Sequence, residues 1–329
     1  MRVLYNTYPV AFDCPGGGEI QLLRSRQAAE EQGVEVALYD LWHPQLDRVD
    51  VVHYFSVQGG STNFCNYVKQ RRLPLVISPI LWLTAENRPL LPLGEIAALL
   101  HACDRILPNS QAEADQLAAE FALDPQKFTI VPNGVDPAFA RVVDPALFRK
   151  RFELKGPLVL NVANIEPRKN QERLCRVAQR LGVQLALVGR VRDQAYLDRC
   201  LAAGEGAARY LGYLDHEDDL LKSAYRACDV FALPSLLETP GLAALEAAIH
   251  GAKVVITNEG STREYFGTHA EYVDPLDEQS LHTALARQLA APREGKLSAH
   301  ILANFTWSHA GAALRQAYQQ ALPTLAQAG

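Results

Sequence analysis

The chain has 329 residues, of which 48% are hydrophobic and 21% charged, and a formal net charge of -5. That is enough apolar material for two ordinary cores, and the acidic balance speaks against a nucleic-acid binder, which needs a basic stripe to neutralise phosphates. No apolar run approaches the roughly 18 residues needed to cross a bilayer. Cys14, Cys65, Cys103, Cys175, Cys200 and Cys228 stand singly, and Arg2-Val3-Leu4-Tyr5 reads as a strand rather than a leader, so a reducing cytoplasm is the expected setting.

From the N-terminus, short β-branched runs alternate with amphipathic stretches, the pattern of parallel strands joined by crossover helices. Strands are expected near residues 2–5, 35–39, 50–55, 74–78, 104–107 and 128–131, and then near 158–163, 184–188, 208–211, 229–233, 253–256 and 271–273. The turn-forming Pro132-Asn-Gly-Val-Asp-Pro137 and the later Lys155-Gly-Pro157 bracket a boundary. The expected fold is therefore α/β, with two Rossmann-like doubly wound sheets, one over residues 1–150 and one over 151–306. Ligands of such sheets bind beyond the C-terminal strand ends, which makes the cleft between domains the expected site. Residues 307–329 open with Trp307, Ala310, Leu314, Tyr318 and Ala321 at helical spacing, stopped by Pro323. The surface this helix covers cannot be read from the pattern, and packing back on the first domain is one option.

Chemistry concentrates after the strand 229–233, in Leu233-Pro-Ser-Leu-Leu-Glu238-Thr-Pro-Gly241-Leu-Ala-Ala-Leu-Glu246-Ala-Ala-Ile-His-Gly251. Thr239 reads as an N-cap, Pro240 as the first helical residue and Gly251 as the stop. Gly241 and Leu242 then lie in the first turn, where unbonded amides and the helix dipole suit a diphosphate. Glu238 in the loop and Glu246 in the helix can accept hydrogen bonds from sugar and ribose hydroxyls.

The densest acidic group, Asp215-His-Glu-Asp-Asp219, reads either as a metal site or as a solvated helix start with Asp215 as N-cap; the second reading is preferred. No His-x-x-x-His pair or zinc spacing occurs.

With Gly16-Gly17-Gly18-Glu19 after the first strand, Leu107-Pro-Asn-Ser110, Asn164-Ile-Glu-Pro-Arg168-Lys169-Asn170, Val273-Asp-Pro275 and Phe305-Thr-Trp307 in the same order, nearly the whole chain resembles the retaining GT-B glycosyltransferases of family four, whose C-terminal domain carries a Glu-x7-Glu motif in this setting. The resemblance implies hexose transfer from a nucleoside diphosphate sugar to a glycan or glycolipid acceptor hydroxyl, in polysaccharide, lipopolysaccharide or glycolipid assembly. It implies no metal or other cofactor. It places Arg168 and Lys169, with Gly16 and Gly17, on the donor diphosphate, Glu246 on the ribose and Glu238 on the donor sugar.

Two positions depart from the family pattern. Ser78-Pro-Ile80 stands where many members carry an active-site histidine, leaving His53 as the candidate neighbour of the sugar, and Asn164 replaces an arginine, for which Arg168 is a candidate substitute. A catalytically silent nucleotide- or glycan-binding protein and a GT-B sugar-nucleotide epimerase remain as alternatives. A dehydrogenase would need Gly-x-Gly-x-x-Gly with an acid about 20 residues on, which Gly16-Gly17-Gly18-Glu19 does not continue. Residues 1–150 hold 13 Lys or Arg against 17 Asp or Glu, so the expectation is at most peripheral membrane association and no nucleic-acid partner. The sequence leaves donor base, acceptor and oligomeric state open.

Overall fold

Alternation of buried β-branched runs with helices yields two separate parallel sheets in the computed structural model, which describes residues 1–13, 15–58 and 60–323. Cys14 and the end of the chain lie outside the described residues. The first sheet holds β1 (Arg2–Asn6), β2 (Glu35–Leu38), β3 (Val51–Phe55), β4 (Leu75–Ser78) and β5 (Arg105–Ile106), in the order β2-β1-β3-β4-β5. Its crossovers include α1 (Gly17–Glu31), α2 (Thr62–Gln70), α3 (Leu93–Ala102) and α4 (Gln111–Phe121). Every residue of β3 and β4 is buried, as expected where helices cover both faces of a parallel sheet.

The first α-helix of the second unit is α5 (Ala146–Arg151). The unit continues through β6 (Leu158–Val162), α6 (Gln171–Leu181), β7 (Gln184–Val188), α7 (Gln194–Gly204), β8 (Ala208–Tyr210) and α8 (Asp219–Ala227). After these come β9 (Val230–Leu233), α9 (Leu242–Ile249), β10 (Lys253–Thr257), α10 (Thr262–Phe266), β11 (Glu271–Val273), α11 (Glu278–Ala290) and α12 (Lys296–Asn304). The strand order is β11-β10-β9-β6-β7-β8. Among the described residues no helix is long and apolar enough to cross a membrane.

Two expectations need correction. Residues 128–131 form no strand: Phe128 makes a single bridge to Ile106, and Pro108, facing this segment, has no N–H to extend a ladder. The units also divide at Gly134/Val135 instead of 150/151. Val135 pairs with Thr306, its N–H donates to Phe305 O at 2.9 Å, and Phe139 and Phe148 are buried in the second core. The Phe148 amide donates to Ser223 Oγ at 3.0 Å, so this stretch folds with the second sheet.

The last helix, α13 (Trp307–Ala321), belongs to the first unit, where it packs on α1. Gly311 allows the approach, since a Cβ there would stand 2.3 Å from Ala28 O. Tyr318 fastens the helix to the sheet. Its hydroxyl lies 2.5 Å from that of Tyr5 and 2.8 Å from His53 Nδ1, while His53 Nε2 lies 2.9 Å from Ser78 Oγ.

His53 is fully buried, and burial lowers its pKa from 6.5 to about 3. Between those values the unfolded chain binds the proton and the folded chain does not, so stability falls as pH drops through this window, by up to about 1.4 kcal/mol per pH unit. His250 in the second unit, lowered to about 4 mainly by burial, acts in the same direction. His53→Gln should therefore show a shallower loss of stability than the parent when denaturant unfolding is followed from neutral pH down toward about pH 4.5; equal slopes would refute the assignment.

Candidate functional site

In the second sheet the strand order reverses between β6 and β9, so the loops that follow them lead to opposite sides and leave a crevice at their start. The β6 loop carries Arg168 and Lys169, and the β9 loop carries Glu238. There Lys169 Nζ meets Glu238 Oε1 at 2.5 Å, with the two side chains only 13% and 7% exposed. Burying opposite charges costs desolvation that their attraction offsets only in good geometry, so the surroundings must hold both groups in place.

Four loops do so. Asn170, buried and at φ 59°, donates through Nδ2 to Pro234 O at 2.9 Å and to Pro275 O at 2.8 Å, tying the β6 loop to those after β9 and β11. The Leu236 amide donates to Arg168 O at 2.9 Å. From the loop after β10, Glu259 O accepts from the Glu238 amide at 3.2 Å, and the Ser261 amide donates to Glu238 O at 3.1 Å. A Cβ on Gly260, at φ 96°, would lie 2.1 Å from Glu238 O.

The helix after Glu238 starts later than the sequence suggests. Gly241, at φ 88°, is the N-cap residue, so α9 begins at Leu242 and Thr239 and Pro240 stay in the loop. A left-handed residue cannot lie inside the first helical turn, and glycine adopts that conformation without steric cost. Gly241 O accepts from the Ala244 and Leu245 amides, and helix geometry leaves the amides of the first turn without intrahelical acceptors.

Glu246 is held apart from that pair. Its Oε1 lies 2.9 Å from His216 Nε2 and its Oε2 accepts from the Tyr225 hydroxyl at 2.8 Å. His216 stacks on Phe139 with ring centroids 4.4 Å apart. Tyr225 is fully buried, and burial first, then the Glu246 charge, raises its pKa well above 10, so it remains a donor. The acidic stretch before α8 serves capping: Asp218, not Asp215, is the N-cap, accepting from the Leu220 amide at 2.8 Å. Among the described residues no group of three or more His, Cys, Asp and Glu could hold a metal ion.

Arg168 is exposed and reaches Glu166 Oε1 at 3.1 Å and Leu237 O at 3.4 Å. Glu166 Oε2 lies 3.7 Å from Arg192, in the loop after β7. With its amide oxygen turned to accept, Asn164 takes Arg192 Nε at 3.0 Å and Nη2 at 3.3 Å. Arg192 thus stands beside the position where the family pattern has arginine. Only the neighbouring register of β6 and β7 brings it there, so spacing along the chain gives no signal for it.

In the first unit Gly16 precedes α1 and Gly17 opens it. The Gly16 amide donates to Glu19 Oε2 at 2.6 Å, so it is already engaged within the unit. His53 requires a correction: it lies within β3, fully buried, with both ring nitrogens bonded. It presents no surface to a sugar, and its place is in the core.

Residues 156–291 match the family model described as Glycosyl transferases group 1, and residues 36–139 match the one described as Glycosyltransferase Family 4. The D-inositol 3-phosphate glycosyltransferase of Stackebrandtia nassauensis is 34% identical over 244 residues, 67% of this chain and 54% of that protein. The chain spans about half the length of the curated relatives it matches. Sucrose-phosphate synthase from Thermosynechococcus elongatus superposes with a TM-score of 0.78 at 19% identity, covering 97% of this chain and 98% of that one. Anabaena HepE, solved with UDP and glucose, gives 0.76 at 16% identity, covering 97% and 99%. The chain belongs to the family-four glycosyltransferases, and its two parallel-sheet α/β domains have the GT-B fold.

Gly206 shares the left-handed φ of Gly260, at 87°, but a Cβ there would meet nothing within 4 Å. Gly260→Ala should therefore lose more stability than Gly206→Ala in urea unfolding, by about 1 to 3 kcal/mol for the added overlap with Glu238 O. Equal losses would show that Gly260 does not pin the glutamate loop.

Proposed function

We propose that the protein moves a hexose from a nucleoside diphosphate sugar to an acceptor hydroxyl with retention of anomeric configuration, in polysaccharide, lipopolysaccharide or glycolipid assembly. The observation that carries this reading is the buried Lys169–Glu238 pair at the switch point of the second sheet, in a chain whose family is defined by glycosyl transfer. The name of the Stackebrandtia relative supports the same activity.

The donor diphosphate draws the Lys169 ammonium onto its oxygens, with Arg168, the amide of the capping Gly241 and the first-turn amide of Leu242 completing the anion site. Glu238, relieved of its ion pair, then accepts hydrogen bonds from hexose hydroxyls. Glu246 takes the ribose hydroxyls on the lone pairs that His216 and Tyr225 leave, since each carboxylate oxygen can accept more than one bond.

In the transfer, the bond between the anomeric carbon and the diphosphate oxygen breaks and its electron pair leaves with the phosphate. The acceptor oxygen bonds to the carbon on the same face, and its proton passes to the departing phosphate oxygen. Charge growing on the leaving group is met by fixed cations and amides, so no metal is required. The protein works in the cytoplasm, without nucleic acid and with at most peripheral membrane contact.

The two glutamates should separate in one experiment run with excess chelator. Glu246→Gln should weaken both the nucleoside diphosphate and the full donor, each about tenfold, or about 1.4 kcal/mol. Glu238→Gln should bind the bare nucleotide at least as well as the parent, because Lys169 is no longer shared, while turnover falls. Proton NMR of the first product should show the donor's anomeric configuration. Loss of activity in chelator, an inverted product, or equal nucleotide defects in both variants would contradict the respective assignments.

A further inference from the structure

Two donors of different kind hold Glu246. Tyr225 is fully buried and reaches Oε2 from the core, whereas His216 reaches Oε1 at 2.9 Å from the loop between β8 and α8, with 36% of its side chain exposed. The surrounding chain fixes that histidine closely. Its ring stacks on Phe139 with planes 22° apart, and Phe139 is itself buried in the second core. The Glu217 amide donates to Asp215 Oδ1 at 2.9 Å, and Glu217 O accepts from the buried Lys222 Nζ at 2.8 Å. Asp215 and Lys222 thus hold the backbone next to His216, while Phe139 sets the plane of its ring.

The ring proton follows from its neighbours. Nε2 faces Glu246 Oε1, and Nδ1 faces Glu217 Oε1 at 3.2 Å. An ionised carboxylate only accepts, so a neutral ring can satisfy one of the two. The Glu217 side chain is 76% exposed and free to turn to water, whereas that of Glu246 is 18% exposed. The shorter and more enclosed contact therefore takes the hydrogen, and Nε2–H donates to Glu246.

Gripped on both oxygens, the Glu246 carboxylate keeps one plane, and each oxygen retains a lone pair for an incoming donor. A glutamate without such a grip samples several rotamers and loses that freedom when a ligand binds; here the freedom is lost on folding. We propose that His216, backed by Phe139, is the positioning residue of the ribose site: it holds Glu246 in the orientation that accepts from the 2′ and 3′ hydroxyls. The inference rests on the assignment of Glu246 to the ribose in the proposed function. It gives the acidic stretch 215–219 a task besides capping α8, which is to present His216 to the neighbouring helix.

The test is calorimetric, on the full chain, with whichever of UDP, GDP and ADP binds the parent most tightly and with the 2′,3′-dideoxy form of the same nucleotide. His216→Ala should weaken the ribonucleotide about threefold to tenfold and leave the dideoxy nucleotide within about twofold of the parent. His216→Gln, which keeps an N–H donor near the place of Nε2, should recover most of the loss. Phe139→Leu, which keeps an apolar side chain without the stacking face, should show the same dependence on the hydroxyls. A role in packing alone would weaken both ligands alike or neither. Glu246→Gln is the reference: if it does not distinguish the two nucleotides, or the parent binds none of the three, the ribose assignment falls and the inference with it. If Glu246→Gln does distinguish them while His216→Ala does not, or His216→Gln is no better than His216→Ala, the inference alone is overturned.

Discussion

A lysine and a glutamate, both largely buried and in contact at 2.5 Å, form the constraint on which the second unit's site depends. Such a pair adds little to stability once desolvation is counted, while losing one member strands the other charge in a poor solvent. The surrounding chain is accordingly arranged to hold it. Asn170 spans two loops with one amide nitrogen, and Gly260 lets the β10 loop close on the Glu238 carbonyl. On the proposed function, a ligand that brings its own negative charge takes over the lysine and turns an ion pair of small net value into a preorganised binding group.

The two sheets use the same topological device for different chemistry. In the first, the order reverses between β1 and β3, and the strand ends there enclose a cavity lined by hydroxyls, an amide and one carboxylate. In the second, the reversal between β6 and β9 gathers a lysine, an arginine and two glutamates onto adjacent loops and one helix. Parallel strands fix where the loops emerge; loop residues decide what charge they present there.

Much of this was legible in the sequence because parallel strands buried on both faces leave continuous apolar runs, as in Val51–Phe55 and Leu75–Ser78. What failed depended on tertiary partners. The run at 128–131 has strand composition, yet Pro108 opposite it limits pairing to one bridge. The boundary at 150/151 that the sequence suggests lies too late because nothing local reveals that Phe139 and Phe148 pack into the second core. Thr239-Pro240 reads as a helix start, but Gly241 takes a left-handed turn first. His53 looked like a ligand-facing residue at a strand end, whereas the Tyr318 hydroxyl that occupies it comes from the last helix. The Glu238 and Lys169 positions were visible as motif residues; their direct pairing, the hold of His216 and Tyr225 on Glu246, and Arg192 beside Asn164 were not, because each joins residues far apart in the chain.

The most direct test of the central claim is calorimetric titration of a nucleoside diphosphate into Lys169→Ala, with Lys155→Ala, an exposed residue in the turn before β6, as the matched loss of charge. A charge-assisted hydrogen bond to a buried phosphate is worth about 1.5 to 3 kcal/mol, so Lys169→Ala should bind at least about tenfold more weakly while Lys155→Ala matches the parent. Equal affinities in the two variants would contradict the account.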